Sequence, residues 1–239
     1  MTNFKIFKYA NPARFLYLCE KTFIYLVFLT IVFLSYGLFQ GFFNSPEDYQ
    51  QGNLVRIMYV HVPSAWMALM IYSSIAIASC IYLINKHLLA NIFCKSASLI
   101  GASFTLIAIV TGSIWGKPTW GTWWVWDARI TSMLVLCFFY LLYIFSWKFI
   151  SNHSANKISS LIAIFGLINL PIIKFSVDWW NTLHQTSSVK ILSTSTIHHS
   201  MMVPLLAMFL ALSLYSVLIF LMKYKTEIIK LKRKGLNRI

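Results

Sequence analysis

Negative charge is scarce in this chain, which has six Asp and Glu among 239 residues against twenty Lys and Arg. Charged residues of both signs make up 11% of the sequence, whereas hydrophobic residues make up 59% and the mean hydropathy is +0.70. So few charges cannot cover the surface of a water-soluble domain of this size. The composition therefore excludes a soluble enzyme and predicts an integral membrane protein.

Cysteine motifs are missing as well. The four cysteines form no CxxC pair, and none falls in a loop predicted to lie outside the cytoplasm, so neither a structural disulfide nor a thiol relay is expected. There is no CxxCH motif, which excludes a covalent c-type haem attachment site on this chain. Because internal repeats and low-complexity linkers are also absent, we expect one integral membrane domain over residues 1–239.

Long apolar runs dominate what remains. A helix needs about 20 apolar residues to cross the hydrocarbon core of a bilayer. The first run is too long for a signal peptide and no small-x-small cleavage site follows it, so we expect a retained helix. The sequence predicts an all-α membrane protein, a bundle of six transmembrane helices. The fifth run is the least typical of a membrane-spanning helix, because it contains Asn169 and Pro171. The runs are residues 22–42, 57–84, 97–115, 129–148, 157–174 and 199–222.

Positive charge is distributed unequally between the two sides of this bundle. Fifteen of the twenty Lys and Arg lie in the N-terminal segment, residues 85–96, residues 148–157 and the basic tail, residues 223–239. Cytoplasmic loops carry the excess of Lys and Arg, which predicts that both termini are inside. A basic tail at a membrane exit indicates contact with anionic lipid rather than with nucleic acid. Residues 115–127 then become an outer, periplasmic loop between helices 3 and 4.

Tryptophan is concentrated on that outer side. The segment WGKPTWGTWWVWD, residues 115–127, holds five of the nine tryptophans, Trp179 and Trp180 lie in the last outer loop, and Trp66 lies near the same end of helix 2. An aromatic belt would decorate both membrane interfaces, but only Trp147 lies near the inner one. The clustering predicts a platform for a large, flat, apolar ligand with a π-face. Its candidate members are Trp115, Trp120, Trp123, Trp124 and Trp126, with Trp179 and Trp180 as further candidate binding residues in the last outer loop.

The two ends of this segment carry different signals. Gly116, Pro118 and Gly121 are expected to interrupt the helix and to let the segment lie along the membrane surface. Asp127 precedes the fourth apolar run, where a carboxylate complements a helix N-terminus. Helix capping and a functional role for Asp127 both remain open.

Four of the six histidines also fall on the outer side. His61 lies near the start of helix 2, His184 lies in the last outer loop, and His198 and His199 open helix 6. Neutral imidazole is a common axial ligand of haem iron, and haem offers the flat face that tryptophans stack on. His61 and His184 flank the platform from different segments and are the candidate ligands. His198 and His199 are weaker candidates, because adjacent residues of a helix cannot both point at one site.

Local cations complete the candidate site. Haem carries two propionates that need neutralising, and the basic residues nearby are Arg56, Lys117 and Arg129. Arg129 has an alternative partner in Asp127, two positions before it. Arg56 and Arg129 are therefore candidate propionate contacts.

Three stretches resemble a known family. TGSIWGKPTWGTWWVWDARITS, residues 111–132, resembles the tryptophan-rich "WWD" signature of membrane haem-handling proteins. YVHVPSAWM, residues 59–67, and NLPIIKFSVDWWNTLHQ, residues 169–185, resemble the flanking segments of the CcmC type, the haem-delivery component of cytochrome c maturation. The resemblance covers about residues 54–188 and its WWD signature is highly specific. His198 and His199 lie beyond it and inherit no role.

The resemblance implies a function and a set of partners. His61 and His184 would be the axial ligands of a non-covalently bound haem b at the periplasmic face of the bacterial inner membrane, with the WWD segment beneath the macrocycle. The haem would pass to a membrane-anchored periplasmic haem chaperone, beside subunits of an ATP-binding-cassette (ABC) transporter and a small one-helix partner. The covalent bond would form on the chaperone, so the chain itself is not expected to be an enzyme.

Three other functions compete with this one. A cytochrome c synthetase of the same superfamily, acting as a haem lyase, would be longer and have more helices and histidines. A bis-His b-type electron-transfer protein would hold its haem between helices, deeper in the membrane. A small-molecule transporter would carry charged residues or broken helices at mid-depth, and the six runs contain no mid-depth Asp, Glu, Lys or Arg.

Overall fold

A computed structural model describes residues 12–150, 152–186, 189 and 196–236, and every regular element in these ranges is helical. A π-helical turn, Gln40–Asn44, extends the first α-helix, and a 3₁₀ turn, Asn53–Ile57, leads into the second. The α-helices are α1 (Pro12–Phe39), α2 (Met58–Asn85), α3 (Leu88–Trp120), α4 (Ala128–Phe149), α5 (Asn152–Leu167), α6 (Asn169–Trp179) and α7 (His199–Leu236).

Six helical segments of the described chain are long and apolar enough to cross a membrane, which confirms the predicted six-helix membrane fold. Helices α5 and α6 form one of these segments together, residues 154–179, broken at Ile168. Pro171 explains the break, because proline has no N–H to donate to the carbonyl of residue 167. Two residues before the proline, the buried side-chain amide of Asn169 donates a hydrogen bond to the Ser132 carbonyl of α4 at 2.8 Å. The weak fifth run is thus two short helices in series.

Helix α3 is longer than its apolar run, and the expected interruption at Gly116 and Pro118 is wrong. The helix begins at Leu88 rather than near residue 97 and continues to Trp120. Pro118 is tolerated one turn from the end, and the helix stops at Gly121, whose φ of +78° suits a glycine C-cap. Only residues 121–127 form a non-helical connection, so the first part of the tryptophan-rich segment is a helix end and not a loop.

Helix α7 likewise extends well beyond its apolar run. The basic segment predicted as a tail from residue 223 is helical as far as Leu236. It lies against the start of α3, where Glu227 accepts from Lys95 at 2.7 Å and from Lys230 at 2.8 Å. Tyr224 and other residues of α7 also pack on Ile92. These contacts between polar helix ends, which hydropathy does not detect, hold the extension in place.

The core of the bundle lies between α2, α3 and α4, with α5 and α6 packed on α2 and α4, and with α1 packed mainly on α7. Buried tyrosines of this core satisfy their hydroxyls on neighbouring backbones: Tyr140 donates to the Ala68 carbonyl at 2.7 Å and Tyr72 to the Ile162 carbonyl at 3.3 Å. Large apolar side chains on the outside of the bundle, such as Phe28 of α1, are exposed. In a membrane these surfaces face lipid tails.

Candidate functional site

A cavity of about 830 Å³ opens where α3 gives way to α4, at the end of the bundle that the charge pattern predicts to be periplasmic. Its walls come from the first turns of α2, the last turns of α3, the start of α4 and the middle of α6. The segment 46–51, the residues after α6 and the start of α7 complete the wall. Most of this lining is apolar or aromatic, which is typical of a ligand site.

His61 and His184 both line this cavity and lie next to each other. Their ring centroids are 6.4 Å apart and their ring planes are inclined by 32°. His61 belongs to the first turns of α2, whereas His184 lies in the non-helical segment that follows α6. The fold therefore brings together two imidazoles that are far apart in the sequence.

His61 is held by the side of α3. Its Nδ1 lies 3.1 Å from the Thr111 hydroxyl, and that hydroxyl donates to the Ile107 carbonyl at 2.6 Å. The Trp115 ring lies edge-on to the imidazole, with centroids 5.8 Å apart. Because Nδ1 is engaged, Nε2 is the ring nitrogen that remains available to a ligand.

His184 has a more polar environment. Its Nδ1 lies 3.0 Å from the Gln185 carbonyl and 3.1 Å from Nη1 of Arg129. Burial lowers the pKa of His184 from 6.5 to about 4, and the positive charge of Arg129 also lowers it. Near neutral pH the ring is therefore uncharged, which is the form that binds metals.

Four of the five platform tryptophans line the cavity: Trp115, Trp120, Trp123 and Trp124. Trp115 Nε1 donates to the Gln51 side chain at 2.8 Å, and the Trp120 ring lies 6.2 Å from that of His184. The Trp124 indole N–H is buried and meets no acceptor among the described residues. Buried indole N–H groups usually have a partner, so this one is a donor available to a bound molecule.

The fifth platform tryptophan, Trp126, and the two candidate tryptophans of the last outer loop, Trp179 and Trp180, lie outside the cavity wall that the described residues form. Trp126 is 76% exposed and contacts the edge of Trp124, with centroids 5.5 Å apart. Trp179 stacks on Phe175, and Trp180 packs edge-on against Trp179. These rings form an exposed aromatic rim beside the cavity.

The predicted cations separate into two groups. Arg129 lines the cavity and donates to the carbonyls of Ile173 at 3.4 Å and Gln185 at 3.3 Å, in addition to its contact with His184. Arg56 lies outside the lining described for the cavity and donates to the backbone carbonyls of residues 42 and 45. Lys117 also points elsewhere and donates to the Gly121 carbonyl at the end of α3. Arg129 is thus the one predicted cation placed in the described cavity wall.

Asp127 is a helix cap. Its Oδ1 accepts from the backbone N–H of Ile130 at 2.8 Å, and its extended backbone, with φ −88° and ψ 169°, is that of an N-cap residue. No ion pair between Asp127 and Arg129 occurs in the described chain, because the Arg129 guanidinium is directed to Ile173, His184 and Gln185 instead. The cap fixes the point at which the tryptophan-rich connection enters α4.

The remaining outer histidines differ from each other. His198 lines the cavity, and its Nδ1 accepts from the backbone N–H of Ser200 at 3.3 Å at the start of α7. His199 is exposed and lies outside the cavity wall formed by the described residues. The pair therefore does not converge on the site, as expected for neighbours on a helix.

Several residues at the site were not singled out from the sequence. Gly112 lines the cavity one turn before Trp115 on α3, and Thr111 beside it contacts His61 without lining the cavity itself. Lys174 is the last residue of the fifth apolar run, and α6 places it in the cavity wall beside Ile173, whose carbonyl Arg129 contacts. Gln51 belongs to no predicted helix, and its place at the site is seen from the folded chain, where it lines the cavity and accepts a hydrogen bond from Trp115.

Comparison with known proteins identifies the family. The family described as "Heme exporter protein C", CcmC, matches residues 5–238, nearly the whole chain. The chain belongs to this family. It is 43% identical over 229 residues to Heme exporter protein C of Bradyrhizobium diazoefficiens, covering 95% of this chain and 87% of that protein.

Other family members are similarly close. Heme exporter protein C of Haemophilus influenzae is 43% identical over 224 residues, covering 93% of this chain and 91% of that protein. That of Escherichia coli K12 is 47% identical over 180 residues, covering 75% of this chain and 74% of that protein. The match to the family covers the segments that build the cavity, since α2, α3, α4 and α6 all lie within residues 5–238.

Proposed function

We propose that this protein binds haem b at its periplasmic face and delivers it to a membrane-anchored periplasmic haem chaperone during the biogenesis of c-type cytochromes. The observation that carries the proposal is the pair His61 and His184, with rings 6.4 Å apart on the wall of a tryptophan-lined cavity. Membership of a family named for haem export supports the same ligand.

The spacing of the two imidazoles supports coordination of one iron by both. A metal–imidazole bond of about 2 Å places the ring centroid about 3 Å from the metal. If both imidazoles bound one metal, their centroids would lie at most roughly 6 Å apart, a separation close to the 6.4 Å between the rings of His61 and His184. Nδ1 of each ring is in contact with protein groups, so Nε2 is the nitrogen of each that a metal could reach; in His184 this requires the tautomer in which Nδ1–H donates to the Gln185 carbonyl.

The remaining lining fits the other parts of a haem. Trp120 and Trp124 offer aromatic surface to a flat macrocycle. Arg129, Lys174 and the unpaired indole N–H of Trp124 are donors for the two propionates. Haem supplies the iron and the porphyrin, while this chain's residues hold, orient and release it.

The proposed partners and location follow from delivery at a membrane surface. The six crossings and the relatives from bacteria support a multi-pass protein of the inner membrane. We propose that the haem site opens to the periplasm, and that the chain works beside ABC transporter subunits and a small one-helix partner. The covalent bond to haem forms on the chaperone, so this chain acts as a delivery component rather than as an enzyme.

Two alternatives are less well supported. A bis-His electron-transfer protein holds its haem between packed helices, whereas His184 lies in a non-helical segment beside exposed tryptophans. A haem lyase of the same superfamily is longer, whereas this chain matches the Heme exporter protein C family over almost its full length.

The decisive experiment is an absorption spectrum with haem quantification on purified wild type, His61→Ala and His184→Ala, each produced with its partners. We expect sub-stoichiometric, extractable b-type haem in the wild type and a large loss in both variants. His87→Ala is the matched control, because His87 is exposed between α2 and α3, at the other end of α3 from the cavity.

Two outcomes would contradict the proposal at different levels. If both alanine variants kept the wild-type haem content, the ligand assignment would be wrong. If the wild type bound no haem even with its partners present, haem binding itself would be refuted.

A further inference from the structure

We infer that Thr111 and Gly112 of α3 are positioning residues that present Nε2 of His61 to the iron. The inference rests on the proposed haem function and extends it from the ligand to the helix face that orients it. Both residues line up against His61: Thr111 contacts its Nδ1, and Gly112 lies against its Cε1.

Thr111 favours a proton on Nδ1 of His61, where the Ala108 backbone is a second hydrogen-bond partner of the imidazole. Its hydroxyl hydrogen is used in a 2.6 Å bond to the Ile107 carbonyl, so toward His61 the oxygen acts as an acceptor. The imidazole Nδ1–H therefore donates to Thr111 across 3.1 Å. A neutral imidazole protonated on Nδ1 has its lone pair on Nε2, which is the nitrogen that can bind a metal.

Gly112 provides the space that this arrangement needs. A Cβ atom at this position would lie 3.0 Å from His61 Cε1 and 3.5 Å from Nδ1. Cε1 is bonded to both ring nitrogens, so a side chain at residue 112 would displace Nε2 as well. Trp115, edge-on at 5.8 Å and held by Gln51, limits movement of the ring on a third side.

His184 has no equivalent support. It lies outside any helix. Its Nδ1 contacts both the Gln185 carbonyl, a hydrogen-bond acceptor, and the Arg129 guanidinium, a hydrogen-bond donor. The carbonyl needs a proton on Nδ1, whereas the guanidinium needs a lone pair there. Of the two ligands, His61 is the one whose orientation and tautomer are fixed before haem arrives.

The test uses Thr111→Val, which removes the acceptor while keeping the shape, Thr111→Ser, which restores a hydroxyl, and Gly112→Ala. Thr105→Val is the control, because Thr105 lies in the same helix and makes the same bond to a carbonyl four residues back, Gly101. The readouts are haem affinity, the six-coordinate low-spin fraction in the absorption spectrum, and the haem reduction potential. Protein level in the membrane and thermal stability report on folding.

We expect Thr111→Val to bind haem about tenfold more weakly or worse. Its potential should rise, because an imidazole without an acceptor on Nδ1–H is a poorer donor to ferric iron. Gly112→Ala should lose six-coordinate haem, whereas Thr111→Ser and Thr105→Val should match the wild type. Added imidazole should restore the low-spin spectrum of Thr111→Val by replacing the misoriented ligand.

The inference is overturned if folded Thr111→Val and Gly112→Ala keep the wild-type affinity, spectrum and potential. It is also overturned if Thr105→Val lowers haem affinity as much as Thr111→Val does, since the effect would then come from a change in the helix and not from the contact with His61. If Thr111→Val does not fold, Gly112→Ala decides the matter: loss of six-coordinate haem supports the inference, and wild-type affinity and spectrum overturn it. These results are distinct from failure of the proposed function, which is a wild type without haem or a His61→Ala variant that keeps it.

Discussion

The ring centroids of His61 and His184 lie 6.4 Å apart, one ring on a helix and the other in a non-helical segment held by Arg129. Helix α3 supports the first ring, whereas α4 supports the second through the Arg129 side chain. The distance between the imidazoles therefore depends on how α3 and α4 are joined, which is the tryptophan-rich connection itself. This gives residues 121–127 a structural role besides offering aromatic surface.

The protonation of His184 should depend on pH in a defined window. Its pKa is about 4 in the folded protein against 6.5 for a free histidine, so the folded state binds fewer protons than the unfolded chain between these values. The neutral ring thus contributes stability that is complete above pH 6.5 and is lost as the pH falls toward 4.

This expectation can be checked by NMR of the protein with ¹³C-labelled histidine, with the His184 signal assigned from a His184→Gln spectrum. The titration midpoint should lie near 4 in the haem-free protein. Arg129→Gln should raise the midpoint, because it removes a positive charge, while burial keeps it below 6.5. A wild-type midpoint near 6.5 would contradict the burial of this ring.

The two arginines predicted to contact propionates should behave differently. Arg129→Gln should weaken haem binding about tenfold or more, because charge-assisted hydrogen bonds contribute roughly 1.5–3 kcal/mol. Arg56→Gln should lower the melting temperature and leave haem affinity near the wild type, since Arg56 donates to backbone carbonyls at the end of α1. Titration of both variants with haem, followed by absorbance, measures the difference. An equal loss of haem affinity in the two variants would show that Arg56 also contributes to haem binding.

Neighbouring tryptophans of the WWD segment should also differ. Trp124→Leu should reduce haem affinity several-fold, because it removes an aromatic surface worth about 1 kcal/mol and a buried N–H donor in the cavity wall. Trp126→Leu should keep haem affinity, because Trp126 is 76% exposed and lies outside that wall. The reverse order in haem titrations would show that the exposed rim, not the cavity, receives the macrocycle.

Capping by Asp127 has a separate, energetic consequence. Asp127→Ala should destabilise the protein by about 1 kcal/mol, the usual loss for an N-cap, while Asp127→Asn should retain most of the stability because asparagine also caps well. Thermal unfolding in detergent compares the three proteins. If Asp127→Asn lost haem while remaining as stable as the wild type, the carboxylate would have a role beyond capping.

Membrane topology is testable without haem. With both termini inside, a cysteine placed at residue 120 should react with a membrane-impermeant thiol reagent from the periplasmic side, and one at residue 153 only after the membrane is opened. The four native cysteines are first replaced, since a reagent could otherwise report on them. The opposite pattern would refute the orientation deduced from the Lys and Arg distribution.

Much of the fold follows from hydropathy, because a bilayer requires long apolar helices whatever their packing. Helices α2 and α4 agree with their apolar runs to within two residues. The limits of α3 and α7 were misplaced, because their ends are polar and are stabilised by contacts such as Glu227 with Lys95. Hydropathy detects the crossing of a membrane and not the helix that continues outside it.

The sequence by itself determined the membrane class, the six crossings and, through the WWD resemblance, the two histidines to examine, while the structure showed that Asp127 is a helix cap. Tertiary structure alone decided which residues share the cavity: it includes Lys174, Gln51 and Gly112, and leaves Arg56 and Trp126 outside the described wall. The physical reason is that a side chain's direction depends on the rotation of its helix and on the neighbours packed against it. In WGKPTWGTWWVWD, five identical side chains therefore have different surroundings, and only the folded chain distinguishes the four that line the cavity from the one that does not.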